Sequence, residues 1–379
     1  MRRLYLIALS TTAIFVLGIV SLYTLYQPSV RSESPNGKYV EVVDYLNRSV
    51  KVLKNVGRVV AIGPGTLRLI TYLNATDLIV GAEQVEVTWS VIGRDYAMAH
   101  QQLFKNLSII GQGGPNTPPN PEMLKVVKPQ LIIMTRTYAE LYSPDKLSEE
   151  VGAPVLVIDY GVAGYLDVDS FKYAMSLLGK VLGREERASQ LSRYLDHLIS
   201  DLRNRTSEVT SKPKVYVGAV SYKGAQPFTS TQVDFPPLHL LNTSSIVDSL
   251  STKGGFIQVD FEYIMKMQPD YVFIDENNLK VVLDDFIKDR SKYCILNAFK
   301  DGKVYGTLPY NYYHTNVATA LANAYFIGKV LYPDKFADID VAIKADEIFK
   351  AFVGKPLYRE FINGGYPGFL QLDETFKCG

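Results

Sequence analysis

A phrase written twice constrains the fold of this 379-residue chain more than any other feature. The first copy runs from Glu122 through Met123, Leu124 and Lys125 to Pro129, then into Leu131-Ile132-Ile133-Met134. The second runs from Glu262 through Tyr263, Ile264 and Met265 to Pro269, then into Tyr271-Val272-Phe273-Ile274. In both copies the glutamate precedes the proline by seven positions. Proline has no amide donor and turns the residue before it away from helix, so each phrase reads as a short helix stopped by proline and feeding a strand. A continuous apolar run of this kind suits a strand buried on both faces, as in a parallel sheet covered by helices. Two matching units predict two similar α/β lobes, with a ligand held in the cleft between them. The competing explanation is chance recurrence of helix–Pro–strand grammar, and the shared spacing weighs against it.

The rest of the chain fits that frame. Residues 39–54 alternate apolar and polar around Asn47-Arg48, as a hairpin does. Val59–Ile62 is a buried strand ending in Gly63-Pro64-Gly65-Thr66, and a helix through Leu67, Ile70 and Leu73 follows. Strands near Leu78–Val80 and Val155–Ile158 complete a βαβα order. From Asp167 to Arg205, apolar residues recur at helical spacing over roughly 35 residues, with Gly183 a place for a bend or break. The expected architecture is α/β: two Rossmann-like lobes with central sheets, joined by a single long α-helix, the ligand cleft lying between the lobes. The boundaries read as an N-terminal membrane anchor or signal segment at 1–26, a tether at 27–38, an N-terminal lobe at 39–166, a connecting helix at 167–205 and a C-terminal lobe at 206–379.

The N-terminus sets the compartment. Met1-Arg2-Arg3 is followed by Leu4–Leu25 without a charge, long enough to span a bilayer, and the preceding positive charge favours export of the body. An uncleaved anchor is favoured over a cleaved signal peptide. Five Asn-x-Ser/Thr triplets, at Asn47, Asn74, Asn106, Asn204 and Asn242, exceed the roughly two that composition predicts and point to a glycoprotein. Cys294 and Cys378 could pair in an oxidising compartment. A formal net charge of +1 leaves no nucleic-acid footprint.

Signals of catalysis are thin. The chain lacks a Gly-x-Ser-x-Gly elbow, a His-Glu-x-x-His motif, a P-loop and metal-ligand spacing among its four histidines, so no catalytic residue is nominated and no cofactor is required. Candidate ligand contacts lie in loops after strands. They are Trp89, Arg94, Tyr96, Arg136 and Tyr138 in the first lobe, with Tyr222, Lys223, Tyr310, Tyr312, Tyr313 and His314 in the second. Arg136, directly after the repeated strand, could grip a carboxylate bidentately or form a surface ion pair. Tyrosines and a tryptophan with one or two cations suit a large, flat, anionic ligand such as a metal chelate.

In order, the pieces Arg58–Pro64, Gly93–His100, Asn120-Pro121-Glu122, Asp169–Lys172 leading into Leu178–Gly183, Tyr216–Gly224, Pro309–Asn316 and Gly328–Pro333 resemble one family. It is the substrate-binding proteins of ABC importers for iron–siderophore, haem and cobalamin, particularly archaeal iron-complex receptors, and the likeness covers roughly residues 55–360. The resemblance implies two lobes on a rigid helix, an extracytoplasmic monomer, and partnership with an ABC permease and its ATPase. It also implies that a surface glutamate of each lobe docks the permease, and Glu122 and Glu262 match those positions. The implied ligand is an iron complex, a ferric siderophore or haem, with a tyrosine or His314 available as an axial ligand in the haem case. Cobalamin or an oxyanion such as molybdate is the alternative. A chelatase-like, two-lobed metal-handling enzyme is the alternative from another class, and the export segment argues against it.

Overall fold

The computed structural model describes residues 37–379, so the apolar segment at 4–25 and nearly all of the tether lie outside the described residues. Among the described residues, no helix is long and apolar enough to cross a membrane. The chain opens with an antiparallel hairpin, β1 (Tyr39–Val43) and β2 (Ser49–Leu53). Its alternation is the cause: Val42, Val50 and Val52 point inward while Glu41, Ser49 and Lys51 face water.

The first lobe is a five-stranded parallel sheet of β3 (Val59–Ile62), β4 (Ile79–Ala82), β5 (Ser108–Ile109), β6 (Leu131–Thr135) and β7 (Val155–Ile158), in the order β5-β4-β3-β6-β7. Every residue of β3, β6 and β7 is buried, as their unbroken apolar runs require. The connection order reverses between β3 and β6, which opens a crevice beyond the carboxyl ends of those strands. Helices α1 (Thr66–Tyr72), α2 (Asp95–Lys105) and α3 (Pro121–Val126) belong to this lobe.

Residues 167–205, whose helical spacing with a break at Gly183 allows one long helix or two in tandem, fold as α4 (Val168–Leu182) and α5 (Glu185–Thr206). Gly183 is left-handed at φ 65° and ends α4, and the chain folds back so that Lys172 pairs with Asp196 and Gly179 lies against Ala188. The 22-residue α5 then leads into the second lobe. There β8 (Val215–Gly218), β11 (Tyr271–Asp275) and β12 (Val304–Thr307) form a parallel sheet in the order β12-β11-β8, beside a small ribbon of β9 (Ser230–Val233) and β10 (Gly255–Gln258). Helix α6 (Phe261–Met267) precedes β11, and α7 (Val317–Leu331) and α8 (Val341–Val353) follow β12.

The twice-written phrase is a structural repeat. Helix α3 feeds β6 and α6 feeds β11, and the residues before the two prolines, Lys128 and Gln268, are both left-handed, at φ 44° and 46°. The amides of Gln130 and Leu131 donate to Arg58 O, and those of Asp270 and Tyr271 to Lys214 O, the residue before the neighbouring strand in each lobe. Each repeated strand pairs directly with its lobe's first strand, β6 with β3 and β11 with β8.

One buried apolar cluster runs through both lobes. It joins Val59 and Ile158 of the first sheet to Val217 and Phe273 of the second through Phe171, Leu195, Leu321 and Phe349 of the helices. Hinge opening would expose part of this cluster at about 25 cal/mol per Å², a cost that opposes it. A disulfide between Cys294 and Cys378 (Cα–Cα 5.5 Å) ties the C-terminal end to the second lobe.

Candidate functional site

The carboxyl ends of the two sheets meet across the loop Pro309–Asn316, and that loop fills the first lobe's crevice. Gly63, at the end of β3, has φ +88°, and a Cβ there would lie 2.2 Å from Thr135 Oγ1, so only glycine fits. Its amide donates to Glu83 Oε2 at 2.9 Å, and the Tyr138 hydroxyl donates to Glu83 Oε1 at 2.9 Å. From the opposite lobe the Tyr313 hydroxyl reaches the same carboxylate at 3.3 Å while accepting from Gly114 N at 3.1 Å. Burial pushes the Glu83 carboxyl up to about 7, the three donors pulling against it.

Arg68 of α1 fastens the loop. Its guanidinium is fully buried, pairs with Asp95 at 3.1 Å, and donates to Tyr160 Oη (2.9 Å), Asn316 Oδ1 (2.8 Å) and the carbonyls of Tyr312 (3.0 Å) and Tyr313 (3.3 Å). Close by, Gly164 O accepts from Tyr310 Oη and Gln232 Nε2, both at 2.9 Å. The lobes are thus locked at their centre by buried, satisfied polar groups.

Most residues expected to touch ligand are engaged with other protein groups, within the first lobe or in this lock. Arg94 is buried in an ion pair with Glu86 (2.6 Å) and also donates to the carbonyls of Trp89 and Ser90. Tyr96 donates to the same Glu86 at 2.6 Å. Tyr138, Tyr310 and Tyr313 have their hydroxyls engaged as described. The His314 ring packs tilted against Tyr160 with ring centroids 4.0 Å apart, and its Nδ1 accepts from Thr315 N at 2.9 Å. Burial, with the Arg68 charge, drops that imidazole to about 3, so it is neutral. Arg136 realises the ion-pair alternative, bonding Glu140 at 2.9 Å and Asp159 at 3.4 Å on the flank by β7. Tyr312 lies partly buried beneath the Arg94 guanidinium, and half-open Trp89 meets Tyr313 edge-on at 5.3 Å.

Space for a ligand lies to one side of the lock. A cleft of about 440 Å³ is lined by Val162, Ala163 and Tyr165 of the first lobe, by Asp167 at the start of α4, and by Tyr222, Gly254, Gly255 and Phe256 of the second lobe. Tyr222 and Phe256 stack face to face at 4.5 Å, and Lys223 Nζ lies 5.3 Å from the Tyr222 ring centroid. The Tyr165 hydroxyl is buried against Gly254 without a hydrogen-bond partner. Of the expected contacts, Tyr222 lines this cleft, with Lys223 over its ring. Phe256 escaped the sequence reading because it lies within the small ribbon strand β10, and Tyr165, although in the loop after β7, had no charged or aromatic residue directly beside it to mark it. Arg68 escaped although it left a signal, a lone charge amid the apolar positions Leu67, Leu69 and Ile70.

Two parallel-sheet lobes with a locked centre and an open inter-lobe cleft define a solute-binding protein. The chain belongs to the periplasmic binding protein family, whose sequence profile matches residues 59–310. Members of that family bind solutes for ABC importers, working with a permease and an ATPase, and are not enzymes. Among its relatives is the molybdate-binding protein MolA of Haemophilus influenzae, 23% identical over 337 residues that cover 82% of this chain and 90% of MolA. The petrobactin-binding protein YclQ of Bacillus subtilis is 23% identical, covering 78% of this chain and 89% of its own. A periplasmic solute-binding protein of Veillonella parvula shares the fold at TM-score 0.67 and 20% identity, covering 89% of this chain and 99% of that one. Molybdate-bound MolA does so at 0.63 and 20% identity, covering 84% and 98%.

Proposed function

We propose that this chain is an extracytoplasmic receptor that captures a ferric chelate in the cleft between Tyr165 and the Tyr222–Phe256 stack and delivers it to an ABC permease. The aromatic lining of that 440 Å³ cleft carries the reading. A chelate with flat, apolar ligand arms gains from such a surface, whereas a small oxyanion needs converging buried donors. Arg68 and Arg94, the buried cations nearby, are already paired. Haem is disfavoured because His314 is packed against Tyr160 and its Nδ1 is engaged by Thr315 N. Residues 39–166 and 206–379 are taken as the lobes, with 167–205 between them.

Delivery is assigned to Glu122 and Glu262. Both are exposed in the first turns of α3 and α6, helices that run back from the cleft side of each lobe. Glu122 has a single weak partner, Lys125 at 2.7 Å on its own helix. The test is calorimetry on residues 37–379 with ferric citrate, a ferric catecholate, haem, cobalamin and molybdate. Ferric chelates are expected to bind at micromolar concentration or better, and Y222A/F256A to weaken them at least tenfold. Tight binding of molybdate alone, untouched by that double substitution, would overturn the assignment.

A further inference from the structure

The five Asn-x-Ser/Thr triplets have no task in ligand capture, and the fold does not treat them alike. All five asparagines are exposed. Asn242 Nδ2 already donates to Arg203 O (3.3 Å) and Thr206 Oγ1 (3.2 Å). Asn204 lies within the last turn of α5, and the hydroxyl of its Thr206 is buried and bonded to Leu202 O at 3.1 Å. In the Asn47 triplet the Ser49 hydroxyl is held by Glu41.

Asn74 and Asn106 differ from these. Neither side-chain amide makes a hydrogen bond among the described residues, and nor do the hydroxyls of Thr76 and Ser108. Each asparagine follows a helix directly: Asn74, left-handed at φ 52°, lies beyond α1, and Asn106 closes α2. The strands they precede, β4 and β5, are hydrogen-bonded neighbours, so the two turns lie side by side at the amino-end rim of the first sheet. The cleft and Glu122 lie at the opposite, carboxyl-end rim. Two exposed apolar side chains, Leu103 and Ile109, flank Asn106 in sequence and would be covered by a bulky polar group there.

We propose that Asn74 and Asn106 are N-glycosylation sites, together forming a saccharide patch on the rim opposite the cleft. The donor is a saccharide activated on a polyprenyl phosphate or pyrophosphate. A bond forms between the asparagine Nδ2 and the sugar's anomeric carbon as the bond from that carbon to the phosphate oxygen breaks. The polyprenyl phosphate or pyrophosphate leaves with the electron pair, and the proton lost by the amide ends on that leaving group by way of solvent. An amide with no bond to lose accepts this at no cost to the fold, whereas Asn242 would forfeit one of its contacts.

The proposal rests on the extracytoplasmic placement above, but its readout is independent of ligand. The full chain, isolated from the cells that naturally make it, is digested and examined by glycopeptide mass spectrometry. Saccharide-modified peptides are expected at Asn74 and Asn106, with unmodified Asn204 and Asn242. The N74Q/N106Q variant is expected to lose the saccharide mass and keep its affinity for ferric citrate. An unmodified peptide at either Asn74 or Asn106, or a saccharide on Asn242, overturns the proposal. Failure to bind ferric citrate with both sites occupied would count against the ligand assignment alone.

Discussion

Replacing Arg68 by methionine probes the lock that holds the two lobes. Methionine keeps most of the aliphatic volume, so packing loss is small and the effect is electrostatic. Five donated hydrogen bonds vanish, three of them reaching across the cleft to Tyr312 O, Tyr313 O and Asn316 Oδ1. Asp95 keeps only the Tyr72 hydroxyl and the Tyr96 amide as partners. An uncompensated buried charge costs about 3–5 kcal/mol, and orphaned acceptors add roughly 1–3 kcal/mol each without full additivity. The expected loss is therefore about 5 kcal/mol in urea unfolding, with hydrogen exchange accelerated at Thr315 and Asn316. Because D95N removes the charge that Arg68 neutralises, R68M/D95N is expected to lose at least about 2 kcal/mol less than the sum of the single variants. Strict additivity, or an R68M cost below about 1 kcal/mol, would refute the lock.

Four further outcomes follow from the same contacts. Burial raises Glu83 to about 7 and Glu276 to about 8, so the folded state holds these protons more tightly than the unfolded chain does. Stability is therefore expected to fall as pH rises from roughly 4.5 through 8, Glu83 alone accounting for about 3 kcal/mol, and E83Q should flatten the lower half of that profile. Reducing the Cys294–Cys378 disulfide, which closes a loop of sequence separation 84, should cost on the order of 4–5 kcal/mol in thermal or urea unfolding. A Cβ at Gly254 would meet the Tyr165 hydroxyl at 1.8 Å, so G254A should push that ring into the cleft and weaken ferric-chelate binding about tenfold or more while the fold persists. Charge reversal at Glu122 and Glu262 together should abolish uptake in cells and leave solution affinity unchanged; loss of affinity instead would place those residues in the binding surface.

The fold was legible in the sequence because its strongest signals are local. Proline after a short helix and an unbroken apolar run determine each repeated unit, and the shared left-handed turn at Lys128 and Gln268 is their joint consequence. The break at Gly183 was legible as an alternative, and the left-handed turn there gives two helices in place of one. The candidate site was legible only in part. Arg94 and Tyr96 read as loop residues but stand at the start of α2, and sequence could not show that Glu86, eight residues before Arg94, would engage both. Arg136 likewise found Glu140 one helical turn on. Pairing among side chains far apart in sequence, as in Tyr313 with Glu83, depends on how two lobes meet, and no local pattern encodes it. Tyr165 and Phe256 sit in such a meeting place.

The most direct measurement is a crystal structure of residues 37–379 grown with ferric citrate or a ferric catecholate, with anomalous scattering recorded at the iron edge. The predicted result is one strong iron peak in the cleft bounded by Tyr165, Tyr222 and Phe256, with the Arg68 lock intact. An iron peak elsewhere, or a ligand seated in the first lobe's crevice after displacement of Tyr313 from Glu83, would contradict it.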